Sequence, residues 1–317
     1  MYYFWCVMKK IRAVLIKMML AVIRNKEKRR LLRKKWCLKA NCLDMSPYYG
    51  YYSSVCTKHR QLLDNKNRIE TLILGDSRAQ LGILPFVLGE NCFNYAFNAN
   101  SNYENLQSLK YVVKNCPCLK TVIIPVAFYN GGFSLIEGAH AWKCHVLMRK
   151  FGYHMSFPKK YDFDFYESIV AKIPDSLEMF ESQGYDFESL HVIEVCKKVR
   201  DRAEKHYNLF KNYTNQWKYL EEMCRLCCDN GLNLIIINHP YRSDYNEVID
   251  ECLKNDNLMK EDLIKPIKQI SAEYGVHFID YTNRGFEFED FADCDHLNFN
   301  GALKLTKMIG DELVKNL

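Results

Sequence analysis

At 317 residues, with 48% hydrophobic and 14% aromatic side chains, the chain can bury one large α/β core or two smaller ones and is not disordered. Its net charge of +6 is unevenly held: residues 1–40 carry thirteen Lys/Arg against one acid, Glu27, and the remainder carries 31 bases against 37 acids. A mildly acidic body whose basic residues sit at one end, with no aromatic-basic interleaving beyond it, argues against nucleic acid as a partner.

The fourteen cysteines fall in apolar runs or in segments that read as helix, such as Cys224, Cys227 and Cys228. They read as free thiols of a reducing, cytoplasmic compartment rather than as a disulfide framework. No second Cys-x-x-Cys or His pair has zinc-finger spacing, so no metal is expected.

Residues 1–45 form a basic amphipathic segment. Ile11, Val14, Leu15, Met18 and Val22 share one helical face, and a dense basic run follows from Arg24 to Lys35. Charges at Lys9, Lys10, Arg12 and Lys17 interrupt the apolar stretch, so it neither crosses a bilayer nor makes a signal peptide. The pattern instead suits a helix on an anionic membrane surface through residues 9–35, at the inner face of the membrane. A solvated helix, or one docked on the protein, are the plainer readings. Residues 41–68, rich in tyrosine, read as a polar passage wrapping the sheet edge.

From Ile69 strands and helices alternate. Strands are expected at residues 69–75, 92–97, 119–127, 232–238 and 276–281. Helices are expected at residues 103–114 and at about 214–229, 245–255, 260–274 and 301–315. This order implies βαβ units and a parallel sheet covered on both faces. The domain, residues 46–317, is interrupted at about 130–212 by a largely helical insertion (187–206 among its helices), expected to act as a lid or substrate platform. His140, Cys144, His145 and His154 lie there loosely and read as surface or structural residues.

Two stretches carry chemistry. The first strand stops at Gly75-Asp76-Ser77, where Gly75 permits a sharp turn and Asp76 or Ser77 can cap a helix. A serine at the carboxyl end of a parallel strand stands where open α/β sheets bind ligands. Near the other end, Asp293-Cys294-Asp295-His296 precedes an amphipathic helix with Asn300 as its expected cap. Asp293-x-x-His296 spacing lets a carboxylate hold one imidazole nitrogen and leave the other as a base. Each stretch alone also reads as a capped loop, the second more readily than the first.

The ordered pair resembles the SGNH (GDSL-like) hydrolase superfamily, over roughly residues 69–317, and looks most like members linked to O-acylation or deacylation of bacterial polysaccharides. The resemblance implies a three-layer α/β/α sandwich with a five-stranded, flavodoxin-like parallel sheet. It implies Ser77 as nucleophile, His296 as general base, Asp293 as its orienting carboxylate, and no cofactor. The family's middle blocks supply a glycine and an asparagine to an oxyanion hole. Here the second block has no glycine, leaving the backbone N–H of Ala99 or Asn100 beside that of Ser77, and after the third strand only Asn130, displaced by several positions, offers an amide. The implied activity is a serine esterase acting on an acylated carbohydrate. The alternatives are an O-acyltransferase that modifies a cell-surface polysaccharide, and a non-catalytic carbohydrate-binding or scaffold protein.

Overall fold

The structure is a computed structural model and describes every residue except 1, 21–22, 24–25, 40–44, 139, 154, 156, 158–160, 172, 174–180, 187–198, 213–214 and 316–317. Its contacts divide the chain into two units, one of residues 1–53 with 159–177, the other of residues 54–158 with 178–317. The smaller unit therefore reaches eight residues past position 45 and takes in part of the 130–212 insertion.

In the smaller unit, helices Tyr2–Met19 and Lys26–Lys39 share a core of Ile16, Leu20 and Cys37, with Ile23 and Leu32 packed against it. Asp162 caps the helix Phe163–Val170 by accepting from the Phe165 N–H and forms an ion pair with Lys35.

The larger unit holds five strands: β1 (Thr71–Ile73), β2 (Cys92–Asn94), β3 (Thr121–Pro125), β4 (Asn233–Asn238) and β5 (His277–Asp280). They pair in the order β2-β1-β3-β4-β5, every neighbour parallel, which is the doubly wound, flavodoxin-like α/β arrangement. Leu72, Val122 and Leu234 lie in register, as do Ile73, Ile123 and Ile235, so successive rows face opposite sides of the sheet. The Ile73 row packs with Ala302, Leu305 and Ile309 of the last helix, Phe299–Lys315. Both faces need apolar cover, which is why these strands are unbroken Ile/Val/Leu runs rather than alternating ones.

Three expectations differ from what forms. Residues 46–65 make a helix, not an irregular passage: Tyr48, Tyr52, Val55 and Leu62 recur at helical spacing and are buried. Its Lys58 is wholly buried and donates to the Ala96 carbonyl at 2.8 Å. The last helix is capped by Asn298, not Asn300, since Asn298 Oδ1 accepts from the Gly301 N–H at 3.0 Å. Of the expected helix 187–206, residues 187–198 lie outside the described ones, and the described helix is Val199–Lys211.

The insertion also covers a sheet edge. Its hairpin, Glu181–Ser182 with Tyr185–Asp186, turns at Gln183, whose carbonyl accepts from Asn94 N–H at 2.7 Å and whose Nε2 donates to the carbonyls of Gly89, Glu90 and Cys92. Backbone groups of the outermost strand β2 are thereby paired, which blunts an edge that would otherwise invite strand addition.

Candidate active site

β1 ends one residue before Leu74-Gly75, and the turn there is built for close approach. Gly75 has φ +138°, and a Cβ on it would lie 2.7 Å from the Ala79 Cβ, so only glycine fits. Asp76 then caps the helix Ser77–Gly82, its Oδ1 accepting from the Arg78 N–H at 2.9 Å. The capping reading is thus right for Asp76, and it frees Ser77, the first helical residue, to present a half-buried hydroxyl.

That hydroxyl lies 2.8 Å from His296 Nε2, a contact between residues 219 apart in the chain. His296 stands on a tight loop closed by the bridge between Phe291 and Leu297 and by the Ala292 N–H, which donates to the His296 carbonyl. Phe291 and Leu297 are buried in the core beneath the last helix, so the loop is anchored at both ends. Asp293 Oδ1 accepts from the N–H groups of Asp295 and His296 at 2.9 and 2.8 Å, fixing the carboxylate. The His296 Nδ1 lies 2.9 Å from Asp293 Oδ2. An ionised carboxylate only accepts, so the proton sits on Nδ1 and Nε2 is the acceptor for the Ser77 hydroxyl.

Burial alone would lower the His296 pKa, but the carboxylates of Asp295 and Asp293 outweigh it and hold the imidazole above its usual value. Burial pushes the Asp293 carboxyl up, and its bond to His296 reverses this, leaving it below the usual aspartate range. Asp295, 1% exposed, stands 3.5 Å from His296 Nδ1 and is ion-paired by Arg202 of the insertion helix, with Nε 2.6 Å from Oδ1 and Nη2 donating to Oδ2 at 2.9 Å.

Behind the serine lies a buried cation that the sequence did not single out. Arg78, 2% exposed, donates to both oxygens of Asp76, from Nε at 3.1 Å and Nη2 at 2.5 Å. Its Nη1 donates to the Tyr241 hydroxyl at 3.1 Å, and its guanidinium sits 5.0 Å from the Tyr129 ring centre. Beside them His206 stacks on Tyr129 and shares a 2.8 Å bond with the Tyr245 hydroxyl. Burial first, and then Arg202 and Arg78, drive the His206 pKa well down, so this imidazole stays neutral.

The oxyanion candidates separate. Asn100 is wholly buried and its N–H is spent on the Phe97 carbonyl at 3.0 Å, so it cannot donate to a ligand. That bond closes a turn whose third residue is Ala99, at φ +68°. This is a conformation that glycine adopts more readily than alanine. Ala99 is half-buried and its N–H makes no backbone bond, so of the two candidates it is the one left to donate. Lys143 holds the turn from outside by donating to Asn98 Oδ1 at 3.0 Å; burial lowers its pKa to about 8. Asn130 sits in the short helix Phe128–Gly131, its Oδ1 accepting from the Ala127 N–H at 2.5 Å and from Arg78 Nη2 at 3.4 Å. Despite its displacement in sequence, its side chain reaches the Asp76–Arg78 cluster.

Among the described residues, only Asp293, Cys294 and Asp295 bring three metal-type donors within 4.8 Å of one another, and the two carboxylates are already committed to His296 and Arg202. The insertion's other candidates do not gather at the site. Cys144 donates to Glu104, His145 is buried beside Phe157, His140 is exposed, and His154 lies outside the described residues.

Comparisons with known proteins add little to this geometry. A protein-family model matches residues 182–317, less than half of the chain. No curated protein matches the sequence. In structure the chain is similar to a proposed acylhydrolase from Bacteroides fragilis (11% identity, 82% of this chain and 97% of that one, TM-score 0.43). It is also similar to a GDSL-like lipase from Bacteroides thetaiotaomicron (11% identity, 83% and 100%, TM-score 0.41). At such scores the likeness carries no weight for the fold, which stands on the strand order and register. The parallel order β2-β1-β3-β4-β5, the Gly-Asp-Ser turn after β1 and the Asp-x-x-His loop before the last helix give the chain an SGNH/GDSL-like arrangement.

Proposed function

We propose that this chain is a serine ester hydrolase of SGNH type acting on an acylated carbohydrate. The reading is carried by one observation: Ser77 Oγ is in hydrogen-bond reach of His296 Nε2 while Asp293 grips the other nitrogen. A seryl hydroxyl is a poor nucleophile until a base takes its proton, and this imidazole is positioned to do so. Ser77 Oγ attacks the acyl carbonyl as its proton passes to Nε2, and the carbonyl oxygen takes the negative charge. The N–H groups of Ser77 and Ala99 and the Nδ2 of Asn130 are its proposed donors. Collapse expels the sugar oxygen, which takes the proton from Nε2 and leaves an acyl-serine. Water then repeats the cycle, its proton going to Nε2 and the acid leaving as Ser77 recovers its own.

The carbohydrate half rests on the sequence resemblance; a cavity of about 230 Å³ lined in part by Asn238, Tyr241, Asn246, Asp280 and Thr282, but not by Ser77 or His296, offers polar groups away from the nucleophile. Such side chains suit sugar hydroxyls, and Asn238 Oδ1 is buried there without a partner. Tyr241 links this cavity to Arg78.

A fluorophosphonate probe and a chromogenic acetyl ester test the chemistry. Labelling of Ser77, with ester cleavage lost in Ser77→Ala and His296→Ala, is the expected result. A folded protein that binds glycans but neither labels nor cleaves would establish the binding-protein alternative. Acyl transfer to an added glycan in excess of hydrolysis would make it an O-acyltransferase.

A further inference from the structure

The helix Tyr2–Met19 uses two faces differently. Ile16 and Leu20 point into the core shared with the helix Lys26–Lys39, 8% and 2% exposed. Ile11, Val14, Leu15 and Met18 recur at i, i+3, i+4 and i+7 on the other face, where they are 45%, 55%, 53% and 66% exposed. An apolar stripe four residues long, left uncovered while its neighbours are buried, is not ordinary surface.

The charges around it identify the occupant. On a 3.6-residue wheel Arg12 lies to one side of the stripe and Lys10 and Lys17 to the other, all three exposed. The next helix adds an exposed Arg33 and a Trp36 that is 39% exposed. Residues 1–40 carry thirteen Lys/Arg against Glu27 alone, whereas the rest of the chain carries more acids than bases. No helix among the described residues is long and apolar enough to cross a membrane.

We infer that this helix docks in the plane of an anionic lipid bilayer. Its stripe enters the boundary between headgroups and acyl chains, and the flanking cations meet lipid phosphates by extending along their own apolar stems. Cys37 of the adjoining helix and the cysteines of the larger unit whose side chains are described are free thiols, which fits the cytoplasmic leaflet, where the anionic lipids are concentrated. The inference is independent of the ester chemistry.

Sedimentation of the full chain with vesicles tests it. Binding to equimolar phosphatidylcholine and phosphatidylglycerol exceeds binding to phosphatidylcholine alone by about tenfold or more, since each cation near such a surface is worth about fivefold. Arg12→Glu with Lys17→Glu removes that excess, and Leu15→Asp with Met18→Asp abolishes binding to both vesicles. Because these side chains are exposed, the variants keep the parent's melting temperature. The inference is overturned if the full chain ignores anionic vesicles, or if the Leu15→Asp/Met18→Asp variant binds them as the parent does. It is equally overturned if the stripe proves to bury a second copy: a lipid-free dimer in sedimentation velocity that the same variant dissociates.

Discussion

Arg202 and Asp295 provide the sharpest test of how His296 is poised. Besides its own Asp293, the imidazole faces Asp295, with Arg202 paired behind it, and is influenced by Asp76. A unit charge at the 3.5 Å separating Asp295 Oδ1 from His296 Nδ1 is worth about 5 kcal/mol at an effective dielectric near 20. The guanidinium just beyond Asp295 offsets part of this, and water at the partly exposed Arg202 screens the remainder. Arg202→Gln removes the offset, stabilises the imidazolium and raises the His296 pKa by about one to two units. A base must be neutral to act, so the acidic limb of the kcat/KM profile for a chromogenic ester moves to higher pH by the same amount. Asp295→Asn takes away the anion and leaves the cation, so the limb moves the other way. An NMR titration of the imidazole reads both shifts without relying on turnover. A limb that stays put in both variants, or moves the same way in both, refutes the electrostatic account.

Other consequences follow from single contacts. Ser77→Ala lowers ester cleavage by about a thousandfold or more without loss of thermal stability, because the hydroxyl is half-buried and supports no packing. Ala99→Gly relieves a left-handed alanine and raises stability by about 1 kcal/mol, visible as a higher urea midpoint. Gly75→Ala places a Cβ 2.7 Å from Ala79 Cβ at φ +138°, costs about 1–3 kcal/mol, and displaces Ser77 enough to slow fluorophosphonate labelling. Asp76 and Asp293 both titrate below the ordinary aspartate value of 3.8, so their stabilisation is present above that value and is lost as pH falls through their folded pKa values. Thermal melts therefore fall steeply on acidification below about pH 4. His296, shifted upward, contributes oppositely: its share is full below the ordinary imidazole value of 6.5 and fades as pH rises through its folded pKa.

What could be read from the sequence was what is written locally. β1, β3 and β4 are buried on both faces, so their residues form continuous apolar runs, and the Gly-Asp-Ser and Asp-x-x-His blocks are contiguous. The helix 46–65 was illegible because four tyrosines in five residues, 48–52, mask its period. Asn100 read as a possible donor because sequence cannot tell a free amide from one spent in a turn, and here Phe97 takes it. Arg78 was the harder omission. It stands beside the nucleophile, yet its meaning comes from Asn130 and Tyr241, 52 and 163 residues away. The same is true of Arg202, 93 residues from Asp295.

These two arginines explain why the site can work as a base at all. Three carboxylates act on His296, and uncompensated they would keep a buried imidazole protonated and useless as an acceptor. Asp76 is paired by Arg78 through two oxygens, and Asp295 is offset in part by Arg202 through two more. Asp293 acts on the nitrogen away from Ser77, and the uncompensated part of the Asp295 charge raises the imidazole with it. The pairing thus sets how many negative charges the imidazole feels, which no count of acids along the chain reveals.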